Sequence, residues 1–113
     1  MKLMDLEKVH EVDISGTIVK MRAMNWQDNI SLASATEAII TASQAEDDKT
    51  DVAVLLCKAK PDIDPILEAH IVEIDDVDGS VLDVLNRVTV GDYMGIVTSL
   101  FTISKLVEDE IKN

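Results

Sequence analysis

The sequence predicts an α+β domain: mainly α-helical, with a small N-terminal β-hairpin, a long helix over about 26–45 and a C-terminal helix over about 90–111. Three observations predict it. Val9 to Ala23 alternates from residue to residue and is interrupted once, at Ser15-Gly16. Asn25, Ser80 and Thr89 each stand just ahead of an apolar stripe with helical spacing. Finally, 47% of the 113 residues are apolar, yet the only aromatics are Trp26, Tyr93 and Phe101. The core is therefore a modest one of Val, Ile, Leu, Met and Ala, side chains that fill helix–helix interfaces well.

The elements follow in chain order. Residues 1–8 mix charges with Met and Leu and read as a lead-in, disordered or a frayed turn. In the first strand Val9, Glu11 and Asp13 share one face and His10, Val12 and Ile14 the other. In the second, Ile18, Lys20 and Arg22 stand opposite Val19, Met21 and Ala23. Ser15-Gly16 suits the intervening turn because glycine tolerates positive φ. Two strands alone are marginal in water, so the hairpin requires a helix to lie on or a strand from another copy.

Asn25 caps the long helix, and Asp28 is placed for a capping box in the positively polarised first turn. Two apolar lines follow, Trp26, Ile30 and Ala33 beside Leu32, Ala35, Ile39 and Ala42. They read as one broad core stripe, with Ser31, Ser34, Thr36, Glu37 and Thr41 on the remaining surface. Thr50 or Asp51 caps a shorter helix over Val52 to Ala59. Val52–Cys57 also satisfies a buried strand, but its Ala and Leu content and the cap favour helix. Pro61 is expected to end it. Residues 60–79 then read as an irregular acidic segment holding both prolines and seven carboxylates, with a short helix or strand at Ile66–Val72. Ser80 caps a short helix over Val81, Leu82, Val84 and Leu85. Thr89 opens the last one, with Asp92 at its third position. Its stripe runs through Ile96, Val97, Leu100, Phe101, Ile103, Leu106, Val107 and Ile111. Gly95 inside it costs about 1 kcal/mol relative to Ala, and close packing is the expected reason.

Composition then limits function. Ten basic residues against 22 acidic ones leave a net charge of −12. That argues against nucleic-acid binding through a basic surface and against docking on anionic membranes. It suits solubility and a basic protein partner. Met1 to Glu11 carries no apolar signal-peptide core, and no apolar run reaches membrane length. Cys57 stands alone, flanked by Val54, Leu55 and Leu56, and reads as a buried thiol in a reducing cytoplasm.

No catalytic, cofactor-binding or metal-binding residue is assigned. Placing Gly79 at the sixth position of an EF-hand loop puts Ile74 first and Leu85 twelfth, where oxygen ligands are required, so Asp75, Asp76 and Asp78 read as a solvated acidic loop. Carboxylate pairs for glycoside chemistry require a shielded pocket, for which three aromatics are few. Cys57 with His10 or His70 has the composition of a nucleophile and base, but its setting is that of a structural thiol and two ordinary histidines. Gly16, Gly79, Gly91 and Gly95 are too dispersed for a phosphate loop. The two long stripes carry more apolar surface than one small domain buries, which marks self-association or a partner helix.

The order of parts has a counterpart. Thr17-Ile-Val-Lys-Met-Arg22 leads to Met24-Asn-Trp-Gln-Asp28 at the start of a long helix. Val52-Ala-Val-Leu-Leu-Cys57 and an acidic, proline-containing middle follow. Ser80-Val-Leu-Asp-Val-Leu85 precedes Thr89-Val-Gly-Asp-Tyr93, which opens a terminal helix containing Ile103-Ser-Lys-Leu106. Over Val12 to Glu110 this layout resembles the tail assembly chaperones of long-tailed bacteriophages. The resemblance implies a non-enzymatic protein of the host cytoplasm that binds the tape measure protein, keeps it soluble, helps recruit tail tube protein and is absent from the finished virion. The alternatives are a small structural component of a tail or baseplate, and an acidic inhibitor of a host enzyme. The inhibitor calls for carboxylates along a rigid helix face, whereas the sequence is expected to place them in the middle segment.

Overall fold

A computed structural model describes residues 1–44 and 51–110. In chain order, strands β1 (Val9–Ile14) and β2 (Thr17–Arg22) precede helices α1 (Trp26–Gln44) and α2 (Val52–His70). Strand β3 (Ile71–Ile74), the short helix α3 (Val81–Leu85) and helix α4 (Val90–Glu110) complete the α+β fold. The hairpin forms as expected. Ser15 (φ 51°) and Gly16 (φ 91°) both take positive φ, the requirement of a type I′ turn, and Asp13 Oδ1 accepts the Gly16 N–H at 2.7 Å. Val19, Met21 and Ala23 face the core and Glu11 and Asp13 face solvent.

The sheet holds a third strand, in the segment that the sequence predicts to be irregular. The order is β1-β2-β3, all antiparallel, with Val19 opposite Ile74, Lys20 opposite Glu73 and Met21 opposite Ile71 across a bulge. Lys20 lies 3.3 Å from Glu73 and 3.5 Å from Asp75, and these carboxylates raise its pKa, the Glu73 hydrogen bond most. The hairpin thus gains its further strand from its own chain, on the β2 side, and β1 remains an edge.

Residues 60–70 also depart from expectation. Instead of ending at Pro61, α2 runs on to His70 with Pro61 and Pro65 inside it. Each proline removes one hydrogen-bond donor and crowds the preceding turn, at about 3 kcal/mol. Packing outweighs this, because Leu56, Ile63 and Leu67 form one buried stripe that a break at Pro61 would destroy. Both prolines are exposed, so their rings face away from the core. Lys60 and Asp64 form an i, i+4 ion pair across Pro61 at 2.5 Å. The helix hands over directly to β3, the Ile71 N–H bonding the Leu67 carbonyl.

The caps are where the sequence places them. Asn25 Oδ1 accepts from the Asp28 N–H at 2.8 Å, Asp51 from the Ala53 N–H at 2.9 Å and Thr89 Oγ1 from the Asp92 N–H at 3.1 Å. Ser80 and Asp83 form a reciprocal capping box. The Asp28 and Asp92 carboxylates instead reach across the fold, Asp28 to His70 Nε2 (2.9 Å) and Asp92 to the Ser15 hydroxyl (2.6 Å).

The core centres on α4. Tyr93, Ile96, Val97, Leu100, Ile103 and Val107 are buried, and the helix lies against β1, β2 and α2. Ser104 is also buried; its hydroxyl donates to the Leu100 carbonyl and accepts the Met24 N–H at 2.9 Å, fixing the entry to α1. Met4 and Leu6 of the lead-in, which forms neither helix nor strand, pack against the same core. Leu106, expected in the stripe, is 55% exposed, and Ile111 lies outside the described residues.

A Cβ at Gly95 would meet Ile14 Cδ1 at 3.8 Å, an ordinary contact, so close packing does not require glycine there. Gly95→Ala is expected to raise unfolding stability by up to about 1 kcal/mol in urea titrations. Pro65→Ala, which restores a helix donor at an exposed position, is expected to raise it by about 1–3 kcal/mol in the same assay.

Candidate interaction surface

The chemistry-bearing residues do not converge. Cys57 is exposed on α2, contrary to the buried thiol the sequence suggests. In a helix, the apolar run Val52–Cys57 is distributed around the whole circumference, so only Leu56 is fully inside. His70 lies on the same helix about 20 Å further along its axis and is held by Asp28, so it cannot serve Cys57 as a base. His10 is half-buried on β1, its Nε2 buried without a hydrogen-bond partner among the described residues. Among the described residues no group of three or more His, Cys, Asp and Glu side chains is arranged to hold a metal ion. Asp76, at φ 59°, and Gly79, at φ 109°, shape the acidic turn after β3, where Arg87 Nη2 donates to the Asp78 carbonyl at 2.6 Å.

One polar network joins the helices. Asp64 accepts from Lys60 Nζ and from the Tyr93 hydroxyl, and Lys60 Nζ also donates to Asn86 Oδ1 while lying 5.5 Å from the centre of the Tyr93 ring. It ties α2 to the end of α3 and the start of α4. Burial raises the Tyr93 pKa well above its ordinary value, and the Asp64 carboxylate, as hydrogen-bond acceptor and negative charge, pushes the same way. Each polar group in the network is committed to another, which suits structure better than catalysis.

An apolar cleft of about 220 Å³ lies between the sheet and helices α3 and α4, lined by Ile14, Val19, Val84 and Ile96. It is smaller than ordinary ligand pockets of about 300–1,000 Å³. The charged groups beside it, Arg87 and Asp92, are occupied by Asp78 and Ser15.

An exposed apolar surface lies on α1. Its two apolar lines part company. Leu32 and Ile39 are buried, with Thr36 fully buried between them and its hydroxyl satisfied by the Leu32 carbonyl at 2.8 Å. Thr36 was expected on the surface; the backbone bond is what lets it lie inside. The other line, expected in the core, points outward: Trp26 is 71% exposed and Ile30 60%. With Ala33, Glu37 and Ile40 it forms a seam whose Ile30–Ile40 portion lines an open groove of about 630 Å³, walled on the far side by Phe101 of α4, while Trp26 lies beyond that groove beside Met4 and Met24. The free edge of β1 is less inviting to another copy. Antiparallel self-pairing about its centre sets Glu11 against Glu11 or against Asp13, a carboxylate opposition that blunts the edge.

No protein-family model matches the chain, and no curated protein sequence or solved structure is significantly similar to it. Among the described residues, no helix is long and apolar enough to cross a membrane.

Tyr93 is the only tyrosine, so tyrosinate absorbance reports it alone. Its pKa is raised from an ordinary value of 10.0, so above that pH the folded chain keeps a proton that the unfolded chain loses. Its contribution to stability is full below pH 10 and declines as the pH rises beyond it. Tyrosinate is therefore expected to appear together with alkaline unfolding, not before it; ionisation near pH 10 with native circular dichroism would contradict this.

Proposed function

We propose that the protein is a non-enzymatic assembly chaperone of the kind its layout resembles, binding a long helical tape measure protein during phage tail assembly and helping recruit tail tube subunits. The observation that carries this reading is the exposed helical seam of Trp26 and Ile30, an apolar surface shaped for a partner helix on a chain of net charge −12. Such a chain stays soluble while covering apolar helix surface on another protein. The absence of any convergence among Cys57, His10 and His70 is compatible with a binding role.

A host-enzyme inhibitor is less well supported. Helix α2 does place Asp62, Asp64 and Glu68 on a rigid element, but Lys58 and Lys60 stand among them and Asp64 is paired, so the face is not a row of like charges. A structural tail or baseplate protein would remain in purified particles, where mass spectrometry would find it.

Co-expression is the direct test. A tape measure protein that is insoluble alone is expected to become soluble and co-purify with this chain. A tape measure protein that stays insoluble, with no complex formed, would sink the proposal.

A further inference from the structure

We infer that the outer seam of α1 is one half of a heterotypic coiled-coil interface, and that its occupant is an amphipathic helix carrying a Lys or Arg within its own apolar seam. The inference takes from the proposed function only the partner's identity; its chemistry comes from α1. Trp26, Ile30, Ala33, Glu37 and Ile40 are spaced by four, three, four and three residues. That is the 3.5-residue repeat of a coiled-coil seam, carried over about two heptads. The same helix also has a core face at Leu32, Thr36 and Ile39, so the seam is additional to what the fold requires. From Trp26 to Ile40 it extends about 21 Å, close to four turns.

Glu37 selects the occupant. It is the single charged residue in the seam, it lines the groove, and among the described residues no cation pairs with it. A helix seated there removes its carboxylate from water, which is costly without a partner charge. A second copy supplies none. Parallel pairing of two α1 helices sets Glu37 against Glu37, and antiparallel pairing about Ala33 sets it against Ile30. Two chains of charge −12 also repel before they meet. A helix with one cation opposite Glu37 satisfies the carboxylate and fixes register, as single polar seam residues do in coiled coils.

The test uses the full chain and two synthetic three-heptad peptides with Leu and Ile seams, one with a central seam Lys and the other with Glu at that position. Trp26 is the only tryptophan and lies in the seam, so its fluorescence reports docking directly. The Lys peptide is expected to bind on the order of tenfold more tightly than the Glu peptide, and Glu37→Lys to reverse the preference. Ile30→Glu should abolish binding with circular dichroism and unfolding midpoint unchanged, since Ile30 is exposed. Equal binding of both peptides, binding of neither, or an unreversed preference in Glu37→Lys would overturn the inference. So would a dimer of the free chain, in sedimentation, that Ile30→Glu dissociates, because the occupant would then be a second copy. Failure of the chaperone reading is separable. Charge-selective peptide binding without rescue of a tape measure protein leaves the seam standing and removes that reading, whereas rescue that survives Ile30→Glu removes the seam and leaves the reading.

Discussion

The fold depends on α2 remaining helical through Pro61 and Pro65. Two interior prolines cost about 6 kcal/mol together, and complete burial of Ile63 and Leu67 returns about 1.5–3 kcal/mol each. The Lys60–Asp64–Tyr93 network adds to that, so opposing terms of similar size leave a helix that local propensity alone would not form. Much follows from its persistence. Continuing to His70 brings His70 to Asp28 at the start of α1 and delivers Ile71 onto β2 as the next strand. The same turns carry Asp64 to Tyr93 and so dock α4. Had α2 ended at Pro61, β3 would not follow directly from the helix, and the hairpin would rely on α4 for its packing.

What the sequence discloses and what it withholds divide along the range of the interaction. The hairpin turn at Ser15-Gly16 and the caps at Asn25, Asp51, Ser80 and Thr89 are local chemistry between residues two or three apart, and all were legible. The course of the chain through Pro61 was not, because the proline rule weighs one turn while Ile63 and Leu67 act through the core. A signal was present: Leu56, Ile63 and Leu67 keep helical spacing across both prolines. Strand β3 was obscured for a related reason. Its four residues, Ile71–Ile74, are too few to show a period, and its identity is set by Val19 and Lys20 some fifty residues earlier. Cys57 is exposed although it ends a six-residue apolar run, because such a run lies inside as a block in a central strand and not in a helix.

The α1 surface was half legible. Both apolar lines can be read from the sequence, but which of them turns inward is fixed by the positions of α2 and α4. Residue type alone would bury Trp26 before Thr36, and the fold does the reverse. Thr36 can be buried because its hydroxyl reaches the Leu32 carbonyl one turn back, so no polar group is left unsatisfied. Trp26, at the first position of the helix, lies where α1 emerges from the Met24–Ser104 anchor, and it remains outside. A large aromatic left in water beside Ile30 is a cost in the isolated chain that a partner helix would relieve.

Charge and apolar surface then act together. A chain with an exposed helical seam risks self-association, and each guard against it here is electrostatic. Glu37 interrupts the seam, Glu11 and Asp13 line the edge of β1, and a net charge of −12 adds a repulsive contribution between copies. Each guard discriminates by sign, not by strength. A carboxylate that repels its own copy attracts a cation in the same position, so one placement both disfavours the homotypic pair and favours a basic helix. On the proposed reading, a chaperone for a long helical client needs this combination. It has to remain monodisperse while awaiting the client, yet bind apolar helix surface readily on meeting it, and a seam of hydrophobes alone would serve only the second need.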